Sequence, residues 1–287
     1  MKLICFDIGG TNIKFGIVKD SVLLLSDMMA TNAYKGAESI FDSVLNKARE
    51  LDDDSIDGIS ISCCGVIDNI NGLIYSSNEM IEGFSGYNIS DKLSVLNKRV
   101  IVENDVNCFM ICERMVGNLI DSVNSVMITI GTGIGGSFCI NKELYFGASF
   151  SAGEVGQMYI DNGNSFEQLA SISALVDCAK DKGLDVNNGV DVFKLYDNGD
   201  LICQDVVKEF YYYLSVGLSN IICMFNPDKI VIGGAITNRK TFINELQESF
   251  NRVCPKRFVD SCKLEIAKYY NESGLLGAYY NYIKNTY

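Results

Sequence analysis

The chain has 287 residues, of which 48% are hydrophobic and 21% charged, so it is long enough for two medium-sized globular domains and is not a disordered polypeptide. Its net charge of −12, with no cluster of Lys and Arg, argues against binding to nucleic acid, and the absence of histidine removes His-based catalytic pairs and most zinc sites. The eleven cysteines form no C-x-x-C pair. Together with the lack of a signal peptide or a long apolar run, they predict a reduced, cytoplasmic protein that does not enter a membrane.

Hydrophobic periodicity predicts two α/β halves of similar layout. In the first half, strands are expected at 2–8, 13–18, 22–29, 56–62 and 99–104, and helices at about 37–51 and 106–116. In the second half, strands are expected at 125–131, 137–141, 143–147, 229–234 and 263–267, and helices at 166–182, 200–225, 241–251 and 274–284. Each half opens with a strand, a Gly/Thr turn and a returning strand, which indicates an internal repeat.

The first turn, in the segment DIGGTNIKFGIV at 7–18, contains Gly9, Gly10 and Thr11. Glycines after a strand expose backbone N–H groups to phosphate oxygens, and the threonine adds a hydroxyl donor. Asp7, at the end of the strand, can hold Mg²⁺ directly or through water. Taken alone, the turn is equally well explained as an ordinary β-hairpin.

The second turn has four glycines within Gly131–Gly136, more than a hairpin needs. It is neither a P-loop, because no Gly-Lys-Ser/Thr follows, nor a dinucleotide fingerprint, because a strand follows it. A third glycine element, Gly233-Gly234, ends a predicted strand and leaves room for a ring or ribose against the backbone. The order of the three elements indicates a nucleotide site.

Two further segments carry polar side chains suited to a hydroxylated substrate. In the segment ENDVN, Asp105 lies near the start of a helix, where it is either a helix cap or a general base that accepts the proton of a substrate hydroxyl. In the segment AGEVGQ, Glu154 and Gln157 are followed by Glu167. These groups are suited to hydrogen bonds with sugar hydroxyls, although the same residues are also typical of a solvated acidic loop.

These segments, with the motifs GTGIGG and IVIGGA, occur in the order seen in the ROK family of sugar kinases and repressors, which the chain resembles over about residues 3–280. The resemblance implies the actin-like, hexokinase-like ATPase fold, an α/β fold of two duplicated ribonuclease H-like halves with a central cleft. It implies an N-terminal domain at 1–118, joined by a C-terminal helix at 274–287, and a C-terminal domain at 119–273. It also implies transfer of the γ-phosphate of ATP to the 6-hydroxyl of a hexose or N-acetylhexosamine.

The resemblance assigns roles to residues that match the family motifs. Asp105 is the expected general base. The residues expected to bind the sugar are Gly65, Asn78, Asn104, Asp105, Glu154, Gln157 and Glu167. The residues expected to bind ATP are Asp7, Gly9, Gly10, Thr11, Lys14, Gly131, Thr132, Gly133, Gly233 and Gly234, with Mg²⁺ held by Asp7 through ATP.

The chain departs from the family pattern after Glu154. Many members carry a histidine where this chain has Gln157, followed by a cysteine-rich loop that binds structural zinc. Only Met158 to Phe166 separate Gln157 from Glu167, and none of them is cysteine, so no structural zinc is expected. This zinc-free form resembles the N-acetylmannosamine kinase and β-glucoside kinase branches. N-acetylmannosamine is the favoured substrate, with glucose or a β-glucoside as the alternative.

Other classes of function stay open at this level. A sugar-binding regulator without catalysis is disfavoured by Asp105 and by the expected lack of a DNA-binding module before residue 3. An actin-like or chaperone-type ATPase would leave the segments ENDVN and AGEVGQ without a role. The partners expected are therefore a sugar and ATP, together with a second copy of the chain in a homodimer, for which the helical segment Phe210–Tyr213 is one candidate contact.

Overall fold

A computed structural model describes residues 1–77 and 81–286 of the chain. The elements of its first part, in chain order, are β1 (Lys2–Ile8), β2 (Asn12–Lys19), β3 (Val22–Ala30), α1 (Gly36–Leu51), β4 (Gly58–Cys63), β5 (Val66–Asp68), β6 (Leu73–Ser76), α2 (Ile89–Leu93), β7 (Arg99–Asn104) and α3 (Asp105–Val116). Single 3-10 turns occur at Ala33–Lys35 and Ser94–Leu96.

The elements that follow are β8 (Ser125–Ile130), β9 (Ile134–Ile140), β10 (Glu143–Leu144), β11 (Tyr159–Asp161), β12 (Asn164–Ser165), α4 (Phe166–Ala170), α5 (Ile172–Asp181), α6 (Gly189–Asp197), α7 (Leu201–Phe225), β13 (Lys229–Gly233), α8 (Phe242–Val253), α9 (Lys256–Val259), β14 (Lys263–Ile266) and α10 (Ser273–Lys284). Further 3-10 turns occur at Val155–Gln157 and Ala235–Asn238. Among the described residues, no helix is both long and apolar enough to pass through a lipid bilayer.

The chain forms two compact units. The first consists of Met1–Ile120, Phe146–Ala152 and the chain from Tyr269 onwards, and the second of Asp121–Tyr145 and Gly153–Lys268. Within the described residues each unit contains a five-stranded sheet, and the two sheets have the same topology. The strand order is β3-β2-β1-β4-β7 in the first sheet and β10-β9-β8-β13-β14 in the second. In each sheet the first three strands of this order pair antiparallel, and the last two run parallel to the third strand, which is β1 or β8. The mixed α/β fold with a duplicated layout, expected from the sequence, is confirmed.

Strand β4 shows how the first unit divides its sheet into two faces. Because side chains alternate along a strand, Ile59 and Ile61 point to one face and Ser60 and Ser62 to the other. The isoleucines join a buried apolar cluster with residues of α1. On the opposite face the Ser60 hydroxyl donates to the carbonyl of Ala278 in α10 at 2.6 Å, so small polar residues in this buried strand allow α10 to pack closely.

The second unit buries a larger cluster, in which residues of β8 and β13 pack with those of α4, α5, α6, α7 and α8. In the segment Phe210–Tyr213 of α7, Phe210 and Tyr211 are buried, Tyr213 is half-buried and Tyr212 is exposed. The hydroxyl of Tyr211 donates to Glu245 at 2.6 Å, which binds α7 to α8. Most of this aromatic segment therefore belongs to the core.

The structure differs from the expected elements in several places. The second glycine turn is short, because β9 already begins at Ile134 and places Gly135 and Gly136 in the ladder with β8. The helix expected at 166–182 is divided at Ser171, whose hydroxyl accepts from the N–H of Ala174 and caps α5. The strand expected at 143–147 is limited to β10 at Glu143–Leu144. The sequence also left out the helices α2, α6 and α9 and the two small hairpins β5–β6 and β11–β12, whose strands of two to four residues carry almost no periodic signal.

Candidate functional site

The predicted site residues of the first unit lie at one edge of its sheet. Strands β1, β4 and β7 run parallel as neighbours, with Ile8 beside Cys63 and Cys63 beside Asn104. Their carboxyl ends therefore meet at the same edge, where parallel α/β sheets bind their ligands. The turn Gly9–Thr11, the residue Gly65 and the pair Asn104–Asp105 are thus brought together from three separate parts of the sequence.

Asp7 is the penultimate residue of β1 and has two polar neighbours. Its Oδ1 accepts a hydrogen bond from the Ser62 hydroxyl at 2.7 Å, and its Oδ2 lies 3.6 Å from the Nζ of Lys14 on the paired strand. On a third side the carboxylate packs against the backbone of Gly274 in α10, where any side chain would overlap it. The Asp7 side chain is 20% exposed, so it is oriented by the protein and still reachable by a ligand.

Thr31 secures the turn after β1, a role that the sequence analysis missed. Its hydroxyl donates to the carbonyl of Gly9 at 2.7 Å, and its N–H donates to the carbonyl of Thr11 at 2.9 Å. Gly10 and Thr11 are exposed, and the space beside the Cα of Gly10 is open. The turn is therefore fixed by hydrogen bonds to Thr31 while Gly10 and Thr11 remain accessible, and a phosphate-binding turn requires both properties.

Asp105 begins helix α3, but it is not the helix cap. The cap is Asn104, whose Oδ1 accepts from the N–H of Asn107 at 3.0 Å. The Nδ2 of Asn104 donates to the carbonyl of Gly65 at 2.9 Å and to Oδ1 of Asp105 at 3.0 Å. Asn104 thereby links the ends of β4 and β7 and orients the Asp105 carboxylate.

The glycine elements of the second unit also follow neighbouring parallel strands. Gly131–Gly133 follows β8, and Gly234 follows β13, which pairs with β8. Gly234 has φ of 102°, and a Cβ there would overlap the carbonyl of Ile130, so only glycine fits. The space beside the Cα of Gly131 is open, and Thr132 is exposed. The predicted nucleotide residues of this unit therefore share one sheet edge.

The segment that carries Glu154 lies directly against β9. The backbones of Gly153 and Gly136 approach so closely that a Cβ on either would overlap the other's carbonyl. This contact holds Glu154 at the sheet although the residue itself remains exposed. The pKa of Glu154 is raised, first because neighbouring atoms remove part of the water around its carboxyl group and second because the charge of Glu167 is near.

Glu167 lies in the first turn of α4 and contacts the glycine turn, a position that the sequence did not indicate. Its Oε2 accepts from the N–H of Ile134 at 3.1 Å and abuts Gly133, where a Cβ would overlap the carboxylate. Its Oε1 accepts from the Nε2 of Gln157 at 3.4 Å. One carboxylate thus touches both the predicted nucleotide turn and a predicted sugar residue.

A short hairpin joins Gln157 to Glu167. Strands β11 and β12 are connected by Asn162 and Gly163, whose φ angles of 43° and 82° are those of a two-residue type I′ turn. Ser165 then caps α4 in a capping box with Gln168. In residues 1–77 and 81–286, no group of three or more Cys, Asp or Glu side chains is arranged to hold a metal ion.

The structure thus groups the predicted site residues within each unit. In the first unit it brings together Asp7, Gly9, Gly10, Thr11, Lys14, Gly65, Asn104 and Asp105, whereas Asn78 lies outside the described residues. In the second unit, the Gly131–Gly133 turn, Glu167 and Gln157 are in contact. Sequence reasoning missed Ser62 and Thr31, which contact Asp7 and the turn after β1, and the buried Glu103, whose Oε1 accepts from the N–H of Asn104. Two of them had a signal, because Ser62 and Glu103 are polar residues in strands that otherwise read as buried.

Comparison with known proteins agrees with this architecture. The family model described as the ROK family matches residues 3–284. The β-glucoside kinase of Listeria monocytogenes is 32% identical over 99% of this chain and 98% of its own length, and that of Klebsiella pneumoniae is 33% identical over 98% and 96%. The solved structure of a candidate N-acetylmannosamine kinase from Listeria monocytogenes is 30% identical, has a TM-score of 0.91 and covers both chains fully.

The match to the family model extends over nearly the whole chain and includes every glycine turn and polar segment described above. The relatives that align from end to end carry the names of sugar kinases. The chain therefore belongs to the ROK family and is a sugar kinase of the hexokinase-like fold.

Proposed function

We propose that the protein transfers the γ-phosphoryl group of ATP to the 6-hydroxyl of a hexose or N-acetylhexosamine, with Asp105 as the general base. The observation that carries the proposal is the meeting of Asp7, Gly65 and Asp105 at one sheet edge. Asp105 is oriented by Asn104, and the N–H of Val106 donates to its Oδ1 at 2.9 Å. A fixed carboxylate can orient the sugar hydroxyl and accept its proton, which is most of what phosphoryl transfer requires from a protein base.

The residues of both glycine turns fit a nucleotide. Gly10 and Gly131 have open space beside them, and Gly234 is confined to a backbone conformation that leaves the strand end uncovered by a side chain. We assign ATP binding to Asp7, Gly9, Gly10, Thr11, Lys14, Gly131, Thr132, Gly133, Gly233 and Gly234. Asp7 offers carboxylate oxygens, the ligands that Mg²⁺ prefers, and Mg²⁺ bound with ATP would neutralise phosphate charge.

We assign sugar binding to polar residues in and near the segments ENDVN and AGEVGQ, and we include Asn78 because of its resemblance to a family position. Glu154 and Glu167 supply acceptors, and Gln157 supplies an amide that both donates and accepts. Because Gln157 is neutral and already donates to Glu167, it can position that carboxylate without adding charge. Asn104 and Gly65 complete the set expected to contact sugar hydroxyls.

Two classes of sugar are favoured by specific observations. The relatives named β-glucoside kinase align over nearly the whole of both chains, which favours a β-glucoside. The zinc-free segment after Gln157 and the structural likeness to a candidate N-acetylmannosamine kinase favour N-acetylmannosamine. Glucose remains the third candidate. We place β-glucosides first, since two named relatives support them.

The test is a coupled assay of ADP release with Mg²⁺ and ATP, run with cellobiose, a phenyl β-glucoside, N-acetylmannosamine, N-acetylglucosamine and glucose. We expect one sugar to stimulate ADP release strongly, and Asp105→Asn to lower its kcat by about 100-fold or more. If no sugar stimulates turnover, the proposed function is wrong. If the variant keeps near-normal kcat, the base is assigned to the wrong residue.

The remaining proposals concern the setting of the enzyme. We expect a cytoplasmic homodimer, in which Tyr212 is the exposed aromatic residue that α7 offers from the segment Phe210–Tyr213. Light scattering on a chromatography column measures the mass directly. A monomer at micromolar concentration would contradict the dimer, and an unchanged dimer in Tyr212→Ser would place the interface elsewhere.

A further inference from the structure

Glu103 is a buried carboxylate that the phosphoryl transfer does not use directly. It is the residue before Asn104 at the end of β7, and only 1% of its surface is exposed. A charged group of this kind is rare in a protein interior unless every oxygen is hydrogen-bonded. Its contacts therefore indicate what it does.

Three residues donate hydrogen bonds to the Glu103 carboxylate. Its Oε1 accepts from the backbone N–H of Asn104 and from the Nδ2 of Asn107, both at 2.9 Å. Its Oε2 accepts from the Nδ2 of Asn69 at 2.8 Å. The pKa of Glu103 is raised, because the effect of burial exceeds the opposing effect of these three donors.

Each donor belongs to a segment of the first unit that contains, adjoins or contacts a predicted site residue. Asn107 lies in the first turn of α3, immediately after Asp105 and Val106. Asn69 lies in the turn of the β5–β6 hairpin, which begins one residue after Gly65. Asn104 itself binds both the Gly65 carbonyl and the Asp105 carboxylate. Glu103 therefore accepts hydrogen bonds from the β5–β6 hairpin, from the first turn of α3 and from Asn104, the residue that orients Asp105.

We propose that Glu103 is a positioning residue, which locks the β5–β6 hairpin and the start of α3 into one arrangement so that Gly65, Asn104 and Asp105 meet the sugar together. The proposal rests on the proposed function, because Asp105 must act on a sugar for its position to affect the rate. It adds a function for Glu103, whose side chain touches neither the proton nor the phosphate.

The Glu103 carboxylate meets all three donors with acceptor atoms. A glutamine keeps the shape, but one of its two polar ends is a donor and would face the donor of Asn69. The Asn69 amide can rotate and present its oxygen instead, so Glu103→Gln alone should be tolerated. By contrast, Asn69→Asp would place a second carboxylate against Glu103, and the two groups must either repel each other or take up a proton, so the original contact is lost in both cases.

The two substitutions together exchange donor and acceptor across the same contact, and this is the test. We expect Asn69→Asp to lower the sugar-dependent kcat by about 100-fold, as misplaced reacting groups do, with the KM for ATP unchanged. Adding Glu103→Gln should restore kcat at least about tenfold, because the new amide donates to the new carboxylate at position 69. If the double variant is no faster than Asn69→Asp, the proposal is wrong.

Glu113 provides a matched control on the other end of α3. It is also a fully buried glutamate, and it accepts from the N–H of Asn118 and of Tyr269, both at 2.8 Å. Glu113→Gln should lower the melting temperature and leave kcat unchanged when assayed well below it. If Glu113→Gln and Asn69→Asp reduce kcat alike, a general loss of stability in the first unit, and not positioning, explains the loss.

A second measurement separates this proposal from the proposed function. Amide hydrogen exchange of the peptide covering 103–108 should be faster in Asn69→Asp and return towards the wild-type rate in the double variant. This readout needs no sugar, so it tests the contact even if no sugar proves to be a substrate. Unchanged exchange in Asn69→Asp would overturn the inference.

Discussion

The hydrogen bond between Ser62 and Asp7 allows a sharp test of the proposed nucleotide site. The Ser62 hydroxyl is fully buried and donates to Oδ1 of Asp7 at 2.7 Å. A hydrogen bond to a charged group contributes about 1.5–3 kcal/mol. Because the Asp7 side chain is 20% exposed, water can replace part of the lost bond, and the lower end of that range, about 1.5 kcal/mol, is expected.

Ser60 is the matched control for this prediction. It lies two residues earlier on the same face of β4, is equally buried and donates to the uncharged carbonyl of Ala278 at 2.6 Å. Ser60→Ala should lower the free energy of unfolding by about 1 kcal/mol and leave the kinetics with ATP unchanged. Ser62→Ala should in addition lower kcat/KM for ATP by about tenfold, since 1.4 kcal/mol corresponds to a factor of ten.

The assay measures ADP release at saturating sugar while ATP and then Mg²⁺ are varied, with urea unfolding of both variants alongside. If Asp7 holds Mg²⁺ through ATP, Ser62→Ala also raises the Mg²⁺ concentration needed for half-maximal rate. Equal losses of kcat/KM in Ser60→Ala and Ser62→Ala would refute the reasoning, because the effect would then follow from destabilisation of β4 alone.

Three further predictions concern the second unit. Gly163→Val should lower the free energy of unfolding by at least about 1 kcal/mol in urea, because a β-branched residue does not adopt the positive φ of the type I′ turn. Glu154→Gln should raise the melting temperature at neutral pH, because it removes a carboxyl group whose ionisation is less favourable in the folded protein than in the unfolded chain. This gain should disappear as the pH falls through the raised pKa of Glu154, because the wild-type carboxyl group then becomes neutral. Arg239→Lys should cost about 2 kcal/mol in urea without changing sugar kinetics, because lysine cannot reproduce the paired bonds to Asp197 at 2.7 Å and to Glu245 at 2.7 and 3.0 Å.

Each of the three has an outcome that contradicts it. Equal stability of Gly163→Val and Gly163→Asn would show that the turn does not require a positive φ, since asparagine tolerates that region and valine does not. A melting-temperature gain for Glu154→Gln that persists at low pH would show that charge is not its source. Unchanged urea unfolding in Arg239→Lys would show that the two carboxylates need only one positive charge.

Much of the fold and of the site could be predicted from the sequence, because both rest on local chemistry. Strands such as β1 and β2 and helices such as α1 and α7 have strong periodicity over seven or more residues, and their expected bounds agree with the structure within about two residues. The glycine turns and the segments ENDVN and AGEVGQ are contiguous, so their order was readable directly. The short hairpin at Asn162-Gly163 carried the strongest local turn signal in that region and was still missed, because its strands are too short to show alternation.

The contacts between distant residues were decided by the tertiary structure alone. Ser62 reaches Asp7 across 55 positions, Glu103 reaches Asn69 across 34, and Glu167 reaches the N–H of Ile134 across 33. No periodicity records such a pair, since each depends on which strands become neighbours in the sheet and on which face their side chains emerge. The sequence by itself determined the family, the element order and the chemical groups available, whereas the parallel pairing of β1, β4 and β7 decided which of those groups meet, because it places three carboxyl-terminal ends at a single edge.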